Sequence, residues 1–108
     1  ITAAYLRKNG WAITKRNYHS RFGEIDIIAE NDEYIIFVEV KTRAENSLTS
    51  PAEAVNLSKQ RKIMLTAEDF LSKFACELQP RFDVAEVTTY KNADGSFRYS
   101  LNYIKNAF

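Results

Sequence analysis

The pattern of apolar and polar positions divides the 108-residue chain into five segments typical of strands and two with helical spacing. Two neighbouring segments are apolar almost throughout, which indicates buried strands, and the polar run Asn31-Asp32-Glu33 between them predicts a hairpin-like turn. The last segment alternates strictly, which is typical of a half-exposed strand. The predicted strands are Trp11 to Tyr18, Gly23 to Glu30, Tyr34 to Lys41, Phe82 to Tyr90 and Phe97 to Tyr103.

A helical period appears at two places. Thr2 to Lys8 has the pattern of the end of a helix, closed by Asn9-Gly10. Farther along, Ser50-Pro51-Ala52-Glu53 has the form of a capping box, and Ser58 is a second start signal. A polar loop, Arg43 to Thr49, precedes this start.

The second helix is predicted to be long and amphipathic. Apolar residues recur at helical spacing from Ile63 to Leu78, and Pro80 is expected to end the helix. The single cysteine, Cys76, falls within this pattern and is predicted to be a small core residue, because one cysteine cannot form an intrachain disulfide.

The order α-β-β-β-α-β-β predicts an α/β fold with a central mixed five-stranded sheet and helices packed on it. A length of 108 residues, 45% apolar and 27% charged, fits one soluble domain spanning residues 1–108. With no long apolar run and no signal-peptide pattern, we expect a cytoplasmic protein without a membrane partner. The chain begins at Ile1 already in a helical pattern, so we expect the natural N-terminus to be truncated.

Charge is unevenly distributed although the net charge is only +1. Between Arg7 and Arg21 there are five Lys/Arg, one His and no acid. Such a block is either a solvated face or a surface for an anionic partner, because clustered cations raise the local affinity for phosphate.

The most informative residues are charged groups within the two buried strands. Glu24 and Asp26 share one face of their strand, and Glu39 and Lys41 share one face of theirs. A turn of two or four residues places Asp26 opposite Glu39, whereas a turn of three residues places it opposite Val38. We expect the two acids to converge.

Converging carboxylates in an apolar environment are normally paired or bound to a metal, because isolated buried charges are costly. Asp26, Glu39 and the Val40 carbonyl offer hard oxygen ligands for one or two Mg²⁺ or Mn²⁺ ions. Lys41, on the same face, is placed to orient a water or to offset charge developing at phosphorus. The alternative is an ordinary salt bridge at a solvated strand end.

These residues also resemble a known family. Gly23-Glu24-Ile25-Asp26, followed by Phe37 to Arg43, is similar to the metal-binding core of the PD-(D/E)xK nuclease superfamily, including archaeal Holliday-junction resolvases. Over essentially its whole length the chain resembles the uncharacterised bacterial YraN-like proteins. Further segments that fit this family are Asn17-Tyr18, Pro51 to Val55, Lys59-Gln60-Arg61, Arg81 to Val84 and Ile104 to Phe108.

The resemblance implies a restriction-endonuclease-like fold with Asp26, Glu39 and Lys41 in the catalytic positions. It adds Gln60, on the following helix, as a polar active-site residue, while Glu24 is a possible accessory acid. One departure matters, because the family's Gly-Glu pair on the first helix would fall just before Ile1.

Basic residues near the predicted site are candidates for nucleic-acid contact. They are Lys15, Arg16, Arg21, Arg43, Lys59, Arg61 and Lys62. The last three lie at the start of the long helix, where cations beside free amides favour an anion, although a solvated helix face is the alternative. Trp11 and Tyr18 are candidates for base stacking, with core packing favoured for Trp11; His19 is expected at the surface and Asp83 in a structural role.

The predicted function is a metal-dependent endonuclease that hydrolyses phosphodiester bonds in DNA, including branched or structured DNA. The first alternative is a non-catalytic nucleic-acid-binding module that keeps the nuclease fold. The second is an interaction domain whose tyrosine-rich last strand pairs with a partner or, as a homodimer, with a second copy.

Overall fold

The computed structural model describes residues 1–45 and 55–108. The described residues form two helices and five strands in the predicted order. The elements are α1 (Thr2–Lys8), β1 (Ala12–Ser20), β2 (Gly23–Glu30), β3 (Tyr34–Ala44), α2 (Leu57–Lys73), β4 (Gln79–Lys91) and β5 (Phe97–Ile104). Neither helix of this described part is long and apolar enough to cross a membrane.

The five strands form one sheet in the order β1-β2-β3-β4-β5. β3 and β4 are parallel, and α2 lies in the connection between them, whereas the other neighbouring pairs are antiparallel. Parallel neighbours need such a long crossover, while the antiparallel pairs are joined by short turns. The predicted α/β fold with a mixed five-stranded sheet is therefore confirmed, and it is consistent with a restriction-endonuclease-like domain.

Each face of the sheet has its own hydrophobic core. On the α2 face, Ile63 and Phe70 of the helix pack with Phe37 of β3 and with other buried residues of the sheet. On the α1 face, Ala3 and Leu6 pack with Val38 and its neighbours. The contacts of α1 on this face also reach Ile27 and Ala29 of β2 and Ile36 of β3.

The hairpin between β2 and β3 has the two-residue turn that brings the acids together. The Asn31 backbone N–H donates to the Tyr34 carbonyl at 3.0 Å, which closes a loop around Asp32 and Glu33. The Asn31 side chain also accepts from the backbone N–H groups of both Glu33 and Tyr34. The paired residues then run from Glu30–Ile35 to Ile27–Val38.

The long helix differs from its prediction at both ends. It begins after Asn56, whose side chain accepts from the Lys59 backbone N–H at 2.9 Å, so Asn56 and not Ser58 is the N-cap. It ends at Lys73, well before Pro80. As a result Cys76 lies outside the helix and is exposed, so its assignment to the core is wrong.

Pro80 is part of β4, not the stop of the helix. Its partner in β3 is Ile35, while the pairing of β4 with β5 begins only at Val84. Pro80 therefore lies where β4 has no neighbour on its second side, a position at which a missing N–H is tolerated.

β3 is also longer than predicted. Its parallel pairing with β4 continues to Ala44 and Thr89, so Arg43 belongs to a strand and not to a loop. The rest of the predicted loop, residues 46–49, and the capping box at residues 50–53 lie outside the described residues.

Strict alternation fails in the middle of β1 and β2. Ile25 belongs to the core on the α2 face, whereas Ile27, only two residues on, belongs to the core on the α1 face. Asp26 lies between these two isoleucines. Their partners in β1 are Tyr18 and Arg16, and Asn17, which lies between those partners, has a left-handed φ of 52°. Asparagine tolerates this conformation better than most residues, and the irregularity lies at the predicted catalytic acid.

Candidate active site

The predicted site lies where β2 and β3 separate. Their paired residues reach Ile27 and Val38, while β3 stays paired with β4 to its end. At the next position the Asp26 Oδ2 atom accepts a hydrogen bond of 2.7 Å from the Val40 backbone N–H. The Asp26 side chain thus takes the place of a strand neighbour, which fixes its carboxylate beside Glu39 and Lys41.

Glu39 is a buried carboxylate whose nearest cations are not in tight contact. Its side chain is 8% exposed, with Lys41 Nζ at 3.7 Å and Lys59 Nζ at 3.9 Å from its two oxygens. The pKa of Glu39 is raised from 4.5 to about 7, first by burial and then by the negative charge of Asp26. Lys59 and Lys41 lower this pKa and offset only part of the effect.

Asp26 and Glu39 fit a cation that prefers oxygen ligands. Their like charges repel at short range in a poorly hydrated environment, and a divalent cation would relieve that repulsion. Across residues 1–45 and 55–108, no three or more His, Cys, Asp and Glu side chains converge as a metal cage. Two carboxylates are nevertheless a suitable protein contribution for Mg²⁺, which usually keeps several waters and phosphate oxygens as its remaining ligands.

Of the other predicted site residues, the structure brings Lys41 to the two acids and keeps Glu24 and Gln60 apart from them. Lys41 is adjacent to Glu39, as expected for two residues on the same face of a strand. The Glu24 Oε2 atom instead lies 3.2 Å from Nδ1 of the exposed His19. The Gln60 side-chain amide donates to the Val55 carbonyl at 3.1 Å, and Gln60 lines a separate small cavity that Asp26 does not line.

The seven candidate cations do not form one surface. Lys59 extends from α2 toward Glu39, and the neighbouring Arg61 and Lys62 are exposed on the same helix. Lys15 lies 5.7 Å from the ring of Phe74, and Arg21 lies 4.8 Å from that of Phe22. Arg43 follows the site along β3, where its carbonyl accepts from Thr89. Arg16 lines a cleft on the opposite, α1 face.

Neither aromatic candidate for base stacking has a free ring. Tyr18 donates to Asp69 at 2.6 Å and packs edge-on against Phe70. Trp11 lies 5.2 Å from the guanidinium of Arg81 and packs against the α1-face core. The core packing favoured for Trp11 is confirmed.

Sequence reasoning missed a cleft of about 550 Å³ on the α1 face, which reaches Asp26 from the side opposite Lys59. Among its lining residues are Thr2, Thr42 and Tyr99, none of which belongs to a recognisable motif. The strict alternation of β5 places Tyr99 on the same face as Leu101. That alternation does not determine which strand β5 pairs with, or in which register.

Comparison with known proteins shows extended similarity. A model described as "Uncharacterised protein family UPF0102" matches residues 1–87. A UPF0102 protein of Clostridium botulinum (strain 657 / Type Ba4) is 44% identical over 110 residues, covering 100% of this chain and 87% of the relative. One from Clostridium acetobutylicum is 45% identical, covering 96% and 84%. One from Desulforapulum autotrophicum is also 45% identical, covering 97% and 84%. The names of these relatives state a family and no activity.

Proposed function

The chain belongs to the uncharacterised protein family UPF0102, and from this premise we propose that it is a metal-dependent endonuclease hydrolysing phosphodiester bonds in DNA. Membership in this family agrees with the YraN-like resemblance of its motifs. The observation that carries the proposal is the buried Glu39 carboxyl, its pKa raised to about 7, beside Asp26 and within 4 Å of two lysines. Strongly perturbed carboxyls of this kind are concentrated at functional sites.

Asp26 and Glu39 would hold Mg²⁺ or Mn²⁺, with the Val40 carbonyl as a further oxygen ligand. When bound, such an ion polarises a phosphoryl oxygen and lowers the pKa of a coordinated water. Lys41 is the residue placed to orient the attacking water or to stabilise charge on the phosphoryl oxygens. Lys59, on the other side of Glu39, is the residue placed to hold the DNA phosphate. We assign this reaction to the cytoplasm.

Cleavage assays with defined substrates test this function. The protein is incubated with Mg²⁺ or Mn²⁺ and with end-labelled single-stranded, duplex, flapped and four-way DNA. Asp26→Asn and Glu39→Gln should each lower the cleavage rate by about 100-fold or more, because each removes a charged metal ligand. Glu30→Gln is the matched control, since Glu30 is on the same strand but accepts from Thr14, away from the site.

Cleavage that survives in Asp26→Asn and Glu39→Gln at the wild-type rate would contradict the assignment. Cleavage lost equally in Glu30→Gln would show that the assay reports folding and not catalysis. Circular dichroism spectra and urea unfolding of all variants separate these two results.

A non-catalytic nucleic-acid-binding module is the second candidate, and one observation favours it. Lys41 and Lys59 both lie within 4 Å of Glu39, so two cations accompany the two acids without any metal. This candidate predicts salt-dependent DNA binding that Asp26→Asn leaves unchanged, with no binding of Mn²⁺. Isothermal titration of Mn²⁺ into the wild-type protein and into Asp26→Asn distinguishes it from the endonuclease.

A further inference from the structure

The cleft on the α1 face has the size and lining of a ligand site. Its volume of about 550 Å³ falls within the usual range for pockets that bind small molecules. Its lining combines the apolar Ile27 and Val87 with the polar Asn17, Thr42 and Asp26. The cleft is therefore a second approach to the Asp26 carboxylate, separate from the α2 face on which Lys59 is found.

An exposed aromatic ring stands at the side of this cleft. The register of β4 and β5 pairs Thr89 with Tyr99 and Lys91 with Phe97, so both aromatic residues point to the α1 face. Tyr99 is 55% exposed and Phe97 is 58% exposed, but only Tyr99 lines the cleft. An aromatic face that is half open to solvent at the side of a polar cleft is suited to stacking on a flat ligand.

Two further groups favour a polar, anionic ligand. Thr2 is 5% exposed and lines the cleft, and in the described part of the chain its Oγ1 atom has no hydrogen-bond partner. A buried hydroxyl normally has a partner, so a polar group of a ligand at this position would satisfy it. Arg16 also lines the cleft and is exposed, which places a cation near Asp26 for a phosphate.

We propose that this cleft receives an unstacked base of a single-stranded nucleic-acid segment, which stacks on Tyr99 while its phosphate pairs with Arg16. The inference rests on the proposed nuclease function, and it specifies the substrate as one with an unpaired nucleotide beside the scissile phosphate. In an intact duplex every base is stacked between its neighbours, so a duplex cannot place a base on Tyr99 without extrusion.

Binding measured without metal tests the inference separately from catalysis. Fluorescence anisotropy in EDTA compares a labelled single-stranded DNA with the blunt duplex of the same sequence. Tyr99→Ala should weaken single-strand binding about tenfold or more and leave duplex binding within about twofold, because stacking on one base is lost. Tyr99→Trp should retain the affinity. Phe97→Ala, with equal exposure on the same strand face, should change it by less than about twofold.

A 2-aminopurine base in the single strand provides an independent readout. Its fluorescence should be quenched on binding to the wild-type protein and to Tyr99→Trp, and it should recover in Tyr99→Ala. Equal effects of Tyr99→Ala and Phe97→Ala, or equal losses of single-strand and duplex binding, would overturn the inference. Cleavage that persists in Asp26→Asn would instead contradict the nuclease function, and the binding comparison in EDTA would be unaffected by that result.

Discussion

Two buried acids on neighbouring strands have opposite environments. Asp83 on β4 is fully buried and pairs in register with Val38, the residue immediately before Glu39 on β3. Its two oxygens accept from both the Nε and Nη2 atoms of Arg81, from the Tyr103 hydroxyl and from the Asn106 backbone N–H, all at 2.6–2.9 Å. Glu39 has two lysines at 3.7 and 3.9 Å and a second carboxylate as its neighbour.

The difference in hydrogen bonding indicates a structural role for Asp83 and leaves the Glu39 carboxylate available to a proton or a cation. Hydrogen bonds satisfy the Asp83 oxygens and join β4 to β5 and to the residues that follow β5, while the Arg81 guanidinium lies near the rings of Trp11 and Tyr34. The hydrogen bond with Asp83 raises the pKa of Arg81 above its ordinary value. The negative charge on Glu39 is incompletely compensated, so it keeps a capacity to bind a proton or a cation near pH 7. Burial alone does not identify a functional acid.

The largest expected effect is the loss of stability in Asp83→Asn. This substitution leaves the partly buried Arg81 without its counter-ion and should lower the free energy of unfolding by about 3–5 kcal/mol, because the Asp83 side chain is fully buried. Urea denaturation monitored by circular dichroism measures it. Asp32→Asn, in the exposed turn between β2 and β3, should change stability by less than about 0.5 kcal/mol. A loss for Asp83→Asn as small as that of Asp32→Asn would remove the distinction between the two acids.

A divalent cation held by Asp26 and Glu39 should stabilise the folded protein. Mn²⁺ at about 100 times its dissociation constant should add about 2.7 kcal/mol, because it binds the folded state and not the unfolded chain. Thermal unfolding with and without Mn²⁺ detects the shift. Asp26→Asn should abolish most of the shift, while Asp69→Asn, whose partner is Tyr18, should preserve it. An unchanged shift in Asp26→Asn would place the cation elsewhere.

The stability contributed by Glu39 in the metal-free protein should depend on pH. Its folded-state pKa of about 7 exceeds its ordinary value of 4.5, so between these values the folded protein holds a proton that the unfolded chain releases. Its contribution is therefore fully present below pH 4.5 and is lost as the pH rises through 7. Glu39→Gln in EDTA should then be more stable than wild type at pH 8, by about 1–2 kcal/mol. A steeper dependence on pH in Glu39→Gln would contradict this assignment.

The smallest effect distinguishes the two lysines beside Glu39. Both lower the pKa of its carboxyl, and Lys59 does so more strongly than Lys41. Lys59→Met should therefore raise the pKa of Glu39 further above its ordinary value than Lys41→Met does. Carboxyl ¹³C chemical shifts followed through a pH titration measure both. The reverse order would mean that Lys41, and not Lys59, has the larger effect on the pKa of Glu39.

The part of the site that the sequence could predict depends on local rules. The two-residue turn and the alternation of the residues next to it determine the register of β2 and β3, because a slip of one residue would move every side chain to the other face. This predicts Asp26 beside Glu39, and Lys41 follows on the same face. The structural role of Asp83 was also expected. Its partners were not, because Tyr103 and Asn106 lie 20 and 23 residues farther along the chain.

The part that could not be predicted depends on distant pairing. Apolar residues continue at helical spacing to Leu78, but the helix ends at Lys73, because the chain must extend for Gln79 to pair beside Tyr34. That competition between helix and sheet is not visible within the segment itself. The cleft beside Tyr99 requires the register of β4 with β5, so no local motif predicts it.

The hydrogen bond from Val40 to Asp26 has a consequence for how this family can change over time. The residue at position 26 stabilises the fold, because without its side-chain oxygen the Val40 backbone N–H would be left unpaired where the two strands separate, which is costly. Asparagine can still accept that bond and lacks the charge, whereas alanine cannot accept it. A relative that loses the charge at this position is therefore expected to carry asparagine and not alanine there, because asparagine keeps the fold intact.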